Sequence, residues 1–395
     1  MVPLLLSVFT VMLGVGIIAP LLPAYAESLG AGGVLLGLIF AVFSATRTLC
    51  TPLVGVLSDR MGRKGFMLSG LFAYCAVSLA YIKAYSVWSL FLVRALHGVA
   101  AALVIPVANA YVGDVAPRNR EGSYAGYFLL SFMAGFATGP ALGGWIHDHF
   151  GIGWCFSALG LLAMLSLGLT TAFVPDLGIS RVRIDSSREY LRLITNRKVL
   201  ILATFMLVSG IGRGSIMCFL PLLATKKLGI SVSALGIIIT VNLLLAAALQ
   251  ALFGALSDRW SRKWILVGGT LLTGVMFAAV PFTKGFLPLM VVNVLMGVGS
   301  AMAFPSSQAM ALSLGRGMGM GALVSLVQVG TSSGFTIGPI LMGVIYKFFG
   351  IDLVFLVCSA ILLLAACYGG FWIRDEGPSG EASGNFIVES KERPW

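Results

Sequence analysis

Charge is what this sequence has least of. Only 10% of its 395 residues are Asp, Glu, Lys or Arg, against 58% hydrophobic, where soluble domains carry about 25% charged residues. That scarcity excludes a soluble chain of amphipathic helices with polar outer faces. Histidine occurs three times and cysteine six times. Cys50, Cys75, Cys155, Cys218, Cys358 and Cys367 show no CxxC spacing and read as small apolar fillers rather than redox or metal ligands. The fifteen acids fall near the ends of apolar runs, in polar breaks or in the tail, so none lies in the middle of a run. The glycine-rich GRGMGMG at 315–321 has no preceding strand and no Walker lysine, which excludes a nucleotide-driven pump. Nothing points to an enzyme, a cofactor or a resident metal.

What is present is a series of long apolar runs. Most reach about 20 residues, enough for a helix to cross a ~30 Å hydrocarbon layer, and none alternates as a barrel strand would. Between polar breaks we predict spans at 3–26, 34–57, 65–82, 87–112, 122–146, 153–174, 199–224, 232–256, 264–282, 286–312, 318–346 and 352–373. The fold class is an all-α membrane protein of twelve transmembrane helices. No cleavable signal peptide is expected, because nothing basic precedes the first run.

Orientation follows from Lys and Arg. With the N-terminus inside, eighteen of the 26 basic residues fall in inner loops or the tail. Lys83, Lys226, Lys227, Lys284 and Lys347 fall outside. Basic loops resist translocation, so both termini are expected in the cytoplasm of a bacterial or archaeal plasma membrane. The net charge of +11 is then an orientation device, helped by anionic lipid, and no nucleic-acid partner is expected.

The chain also repeats itself. GVLSDRMGRK at 55–64 returns as GALSDRWSRK at 254–263, with Asp258 lying 199 residues after Asp59. The same offset carries Gly37 onto Gly236, Gly98 onto Gly297, Pro106 onto Pro305, Gly139-Pro140 onto Gly338-Pro339 and Gly144 onto Gly343. We expect two parallel six-helix repeats at 1–174 and 198–373. A basic cytoplasmic linker at 175–197 with an amphipathic stretch, SSREYLRLITN, joins them, and a polar tail occupies 374–395.

The decapeptide resembles the loop between helices 2 and 3 of major facilitator transporters, G-x-L-x-D-R-x-G-R-[RK]. Gly55, Leu57, Asp59, Arg60, Gly62, Arg63 and Lys64 all match. The second copy keeps Asp258, Arg259 and Arg262 but has Ser261 for the glycine. The resemblance implies a conformational gate in which Asp59 meets the start of the eleventh span and Asp114 partners the loop arginines. The alternative is a topology anchor, which accounts for the basic residues but not for Asp59 and Asp258.

Residues 135–146, GFATGPALGGWI, resemble the helix-5 pattern of the family's antiporters, mainly drug exporters, through Gly135, Gly139, Pro140, Gly143 and Gly144. Small faces let helices approach closely in lipid, and generic packing is the alternative. RALHGVAAALVIP resembles the helix-4 motif through Arg94 and Gly98, with His97 where the family has Gln. The family ties this arginine to proton coupling. Arg47 and Arg213 also lie deep. Their counterparts Ala246 and Gly14 are uncharged, as are Asn293 for Arg94 and Met296 for His97, so the repeated scaffold does not require these charges. Arg47, Arg94, His97, Arg213 and Asn293 are the candidate substrate or proton pathway; the alternative is that Arg94 only hydrogen-bonds to neighbouring carbonyls and that Arg47 or Arg213 serves a helix interface.

The resemblance therefore implies a monomeric secondary transporter for a small-molecule substrate, coupled to protons, exporting amphiphiles. Lacking a mid-membrane carboxylate, the chain departs from exporters of cationic drugs, and anionic or zwitterionic substrates are expected. The alternatives are an organic-anion or lipid carrier of the same fold with different or no coupling, and a non-transporting sensor or scaffold.

Overall fold

The computed structural model describes residues 1–117, 120–176, 197–315 and 320–372. Most of the predicted linker, the tail, and residues 316–319 of the glycine-rich stretch lie outside the described residues. So do the side chains of Glu121, Arg197, Lys198, Asp258, Trp372 and residues 312–315 and 320–327.

Among the described residues the chain is entirely helical. In hydrocarbon every backbone N–H and C=O must be satisfied within the segment, and a helix does this. The helices are α1 (Val2–Ile18), α2 (Leu22–Ser28), α3 (Gly33–Met61), α4 (Arg63–Ile82), α5 (Val87–Val115), α6 (Glu121–Phe150) and α7 (Ile152–Phe173). They continue as α8 (Arg197–Leu222), α9 (Val232–Arg259), α10 (Arg262–Ala279), α11 (Phe286–Gly315), α12 (Met320–Phe349) and α13 (Ile351–Trp372). A π-helical turn, Leu223–Lys227, extends α8, and a 3₁₀ turn, Val280–Phe282, extends α10.

Eleven of these helices are long and apolar enough to cross a membrane; α1 and α2, bent by 45°, together make a twelfth span. The bend falls where Pro20 and Pro23 remove backbone donors. Tyr25 of α2 ties the bent segment down by donating its hydroxyl to Ala84 O at 2.6 Å and Tyr81 O at 3.2 Å.

Packing repeats with the sequence. The helices before residue 176 pack as α1 on α6 and α7, α4 on α5 and α7, and α3 on α5. Those after residue 197 pack as α8 on α12 and α13, α10 on α11 and α13, and α9 on α11. Each pairing in the first set maps onto one in the second at the 199-residue offset. Two extensive pairings join the sets, α3 with α12 and α6 with α9, and they are also mates under that offset; α8 touches α2 and α3 over smaller areas.

Glycine makes these inter-set contacts possible. A Cβ on Gly33 would sit 2.5 Å from Gly343 O, and one on Gly144 would sit 2.5 Å from Val232 O. The two contacts are equivalent, since Gly33 maps onto Val232 and Gly144 onto Gly343. Gly37 against the Pro339 carbonyl and Gly236 against the Pro140 carbonyl form a second equivalent pair. Further along, Ser44 donates to Ser332 O at 3.3 Å and Ala141 N to Thr240 Oγ1 at 3.1 Å. All of these lie between mid-helix and the end of the molecule that carries Glu27 and Asp148.

Candidate functional site

The two ends of the molecule differ. At the Asp59 end, Arg63 at the start of α4 pairs with Asp59 of α3 at 3.0 Å and chelates Asp114 of α5, with a second contact at 3.3 Å. One guanidinium thus fastens three helices of the first repeat, as its planar fork suits. Lys64 donates to Thr171 O at 3.0 Å, while Arg60 is exposed. Gly62, between α3 and α4, has φ +95°, a region that penalises any side chain. The second copy differs: Ser261 has φ −63°, a conformation open to all residues. There Arg262 donates to Ser257 O at 3.4 Å, and Arg259 is exposed. The partner that the resemblance implies for Asp59, the glycine-rich stretch 315–321 at the start of the eleventh span, falls largely outside the described residues.

At mid-depth, Arg94 is buried. It donates Nε to Ile39 O at 3.3 Å and stacks over Phe43 and Phe40 at 4.3 and 5.5 Å from the ring centres. A carbonyl and two aromatic faces offset a charge that a bilayer would otherwise penalise. His97, one turn on, is 1% exposed. Its Nδ1 lies 2.9 Å from Tyr81 Oη, and the rings of Phe43, Tyr74 and Tyr81 stand edge-on around it at 5.1, 5.1 and 5.7 Å. His97 therefore sits among α3, α4 and α5. Its Nε2 and the Tyr74 hydroxyl are buried without a hydrogen-bond partner among the described residues.

Arg47 is the fifteenth residue of the 29-residue α3; a Cβ on Gly98 would lie 3.2 Å from its backbone N, which places Arg47 beside the stretch of α5 that carries Arg94 and His97. Arg213 of α8 is apart, stacked on Phe304 of α11 at 4.7 Å. Neither Arg47 nor Arg213 makes an ion pair among the described residues, and both are half-buried. Asn293 is buried and accepts from Asn242 through its backbone carbonyl.

The helix-5 motif divides between two tasks. Gly135, Gly139 and Gly143 press α6 against α1: a Cβ on Gly139 would lie 2.5 Å from Gly16 Cα, and one on Gly143 2.8 Å from Ile17 Cα. Gly144 and the Pro140 carbonyl instead face α9 of the second repeat.

The Glu27 end holds groups that the sequence reading passed over. Glu27 takes the Tyr346 hydroxyl at 3.0 Å and pairs with Lys226 Nζ at 2.6 Å. Asp148 Oδ2 accepts from Ser233 N at the start of α9 at 2.9 Å, so its flanking His147 and His149 mark a junction between repeats. A signal was available: the 199-residue offset carries Glu27 onto Lys226 and Asp148 onto Lys347, exchanging acid for base.

The sequence profile of the Major Facilitator Superfamily matches residues 4–211 and again 202–392. An MFS-type transporter of Methanocaldococcus jannaschii is 30% identical over 357 residues, covering 88% of this chain and 91% of the relative. The multidrug resistance protein MdtG of Klebsiella pneumoniae is 27% identical over 380 residues, 93% of this chain and 91% of its own. Among solved structures, a bacterial homologue of the human lysosomal transporter Spinster superimposes with a TM-score of 0.80 at 15% identity, covering 93% of this chain and 95% of that one. Repeat, packing and profile agree: the chain is a multi-pass membrane transporter and belongs to the Major Facilitator Superfamily.

Proposed function

We propose that this transporter exports small anionic or zwitterionic amphiphiles in exchange for protons. Two six-helix bodies, 1–174 and 198–373, rock about a site between them, and the Asp59 loops face the cytoplasm of a bacterial or archaeal cell. The observation that carries the substrate class is the pair Arg47 and Arg213. Two half-buried cations near mid-helix lack an acid partner among the described residues, and an uncompensated ion in such a place costs several kcal/mol. An entering anion offsets that cost; an entering lipophilic cation adds to it. The antiporter-type α6 and the similarity to multidrug resistance proteins support export. Asp59, Arg60, Arg63 and Asp114, with Asp258, Arg259 and Arg262 in the second copy, form the cytoplasmic gate in this scheme. Arg94 and His97 sit along the proton or substrate route, with Asn293 as the uncharged counterpart of Arg94 in the second repeat.

The same scarcity of deep carboxylates favours a second reading, a carrier of organic anions or lipids without proton coupling. Purified protein in liposomes separates the two. Transport of an anionic amphiphile should follow an imposed pH gradient, and His97→Gln should weaken that dependence while sparing binding. Arg213→Ala should weaken anion binding about tenfold, the ~1.4 kcal/mol of one charge-assisted contact. Transport indifferent to the gradient selects the uncoupled carrier. Tight binding of lipophilic cations with none of anions overturns the substrate class, and no transport at all leaves a sensor or scaffold.

A further inference from the structure

The Glu27–Lys226 pair is unusual in where it stands. The two residues occupy the same position in the two repeats, since Lys226 follows Glu27 by 199 residues, yet they touch each other at 2.6 Å. Repeats of parallel topology are related by a pseudo-two-fold axis along the membrane normal. Equivalent residues can meet only on that axis, so this pair marks the centre of the closure between the repeats. A symmetric contact there would set like charge against like. Divergence to Glu in one copy and Lys in the other turns that repulsion into attraction.

The surroundings carry the same polarity. Tyr346 of α12 donates to the other oxygen of Glu27 at 3.0 Å, so one carboxylate of the first repeat holds two helices of the second. Off the axis, Asp148 accepts from Ser233 N at the N-terminus of α9, where the helix dipole favours an anion. The mirrored contact would set Lys347 against the N-terminus of α3. An ammonium cannot accept from a backbone N–H, so this junction forms once. Across these two junctions the first repeat supplies the acid, Glu27 or Asp148, and the second the donor that meets it, Lys226 or Ser233 N. Glu27 is 12% exposed and Lys226 60%, so the carboxylate is enclosed while its partner can swing into solvent without a large desolvation cost.

We propose that Glu27 is a positioning residue of the transport cycle. Its axial pair with Lys226, seconded by Tyr346, holds the Glu27 end shut and must break before substrate can pass there. This rests on the alternating-access scheme above.

Charge reversal tests it. Ser44→Cys places a thiol just below the closure, where Ser44 meets Ser332, and a membrane-impermeant maleimide applied to the Glu27 face reports opening. Glu27→Lys and Lys226→Glu should each raise the labelling rate about fivefold, since the net worth of such a pair is ~1 kcal/mol. The double exchange Glu27→Lys with Lys226→Glu should return it to the starting rate. Tyr346→Phe, which keeps the ring, should raise it by less. Unchanged labelling in both single variants, or a double variant that stays fast, overturns the proposal. Transport is measured on the same vesicles: absent transport with this labelling pattern intact fails the export scheme and leaves the latch standing.

Discussion

At equivalent positions the first repeat carries Arg47, Tyr74, Tyr81, Arg94 and His97 where the second carries Ala246, Thr273, Val280, Asn293 and Met296. Both repeats keep the Gly-Pro pair of the fifth helix and use its glycine to bring that helix onto the first: Gly139 packs on Gly16 and Ile17 of α1, and Gly338 on Ile211 of α8. What is shared builds the bundle; what diverged is charge, hydrogen bonding and aromatic surface. The mid-depth chemistry is therefore lopsided, with an enclosed basic and aromatic cluster in the first repeat against Arg213 and Phe304 in the second. A scaffold requirement would appear twice, so the lopsided residues are the ones to test for function.

The largest effect should come from breaking the shared part. Gly139→Leu and its mate Gly338→Leu each force a side chain into a backbone that a bare Cβ already approaches to 2.5 and 2.7 Å. Overpacking against flexible side chains costs about 1–3 kcal/mol, and backbone gives way less easily. Both variants should lose transport and show lowered midpoints of thermal unfolding of similar size. A variant harmed only at Gly139 would mean that the glycine motif of α6 has a role beyond packing, peculiar to the first repeat.

Much of this architecture was legible in the sequence because the bilayer reduces folding to few choices. Apolar length gives the spans, and the doubled decapeptide gives the repeat. The broken first span was less visible: α1 and α2 read as one apolar run, and only the prolines hinted at a 45° bend. At the site, sequence gives depth along a helix but not which neighbours enclose a side chain. Arg47 could be placed near mid-membrane by counting residues, and Arg94 inside the bilayer by its place in the helix-4 motif. That His97 is ringed by Phe43, Tyr74 and Tyr81 depends on how α3, α4 and α5 close around it. Glu27 and Lys226 were passed over for a related reason. Each looks like an ordinary charge in a polar break until the axis between the repeats brings them together.

A smaller effect is expected from exchanging Gly62 and Ser261 between the two copies of the decapeptide. At φ +95° a Cβ on Gly62 would meet, among the described residues, only Asp176 Oδ1, at 3.6 Å. The cost of Gly62→Ser is thus conformational rather than a clash, about 1–3 kcal/mol. Ser261→Gly loosens a residue at φ −63° that needs no glycine, and should cost roughly 0.5–1 kcal/mol through the unfolded chain. Thermal unfolding of the two variants checks the ranking. Equal losses would show that the loops are used alike despite their different backbones.

The smallest effect separates charge from shape within the diverged cluster. If Arg94 matters only as a cation, Arg94→Lys should transport normally, since the charge remains. The geometry says otherwise: a planar guanidinium lies over Phe43 at 4.3 Å and reaches Ile39 O with Nε, and an ammonium on a flexible stem reproduces neither arrangement. The lost stacking is worth ~1 kcal/mol, so the transport rate should fall about fivefold while expression and folding persist. The counterpart in the second repeat supplies the control. Asn293 accepts its hydrogen bond through the backbone carbonyl, which Asn293→Ala leaves in place, so that variant should stay within about twofold of the wild-type rate. A larger loss at Asn293 than at Arg94 would reverse the assignment, putting the working side of the site in the second repeat and leaving the first repeat's aromatic cluster as packing.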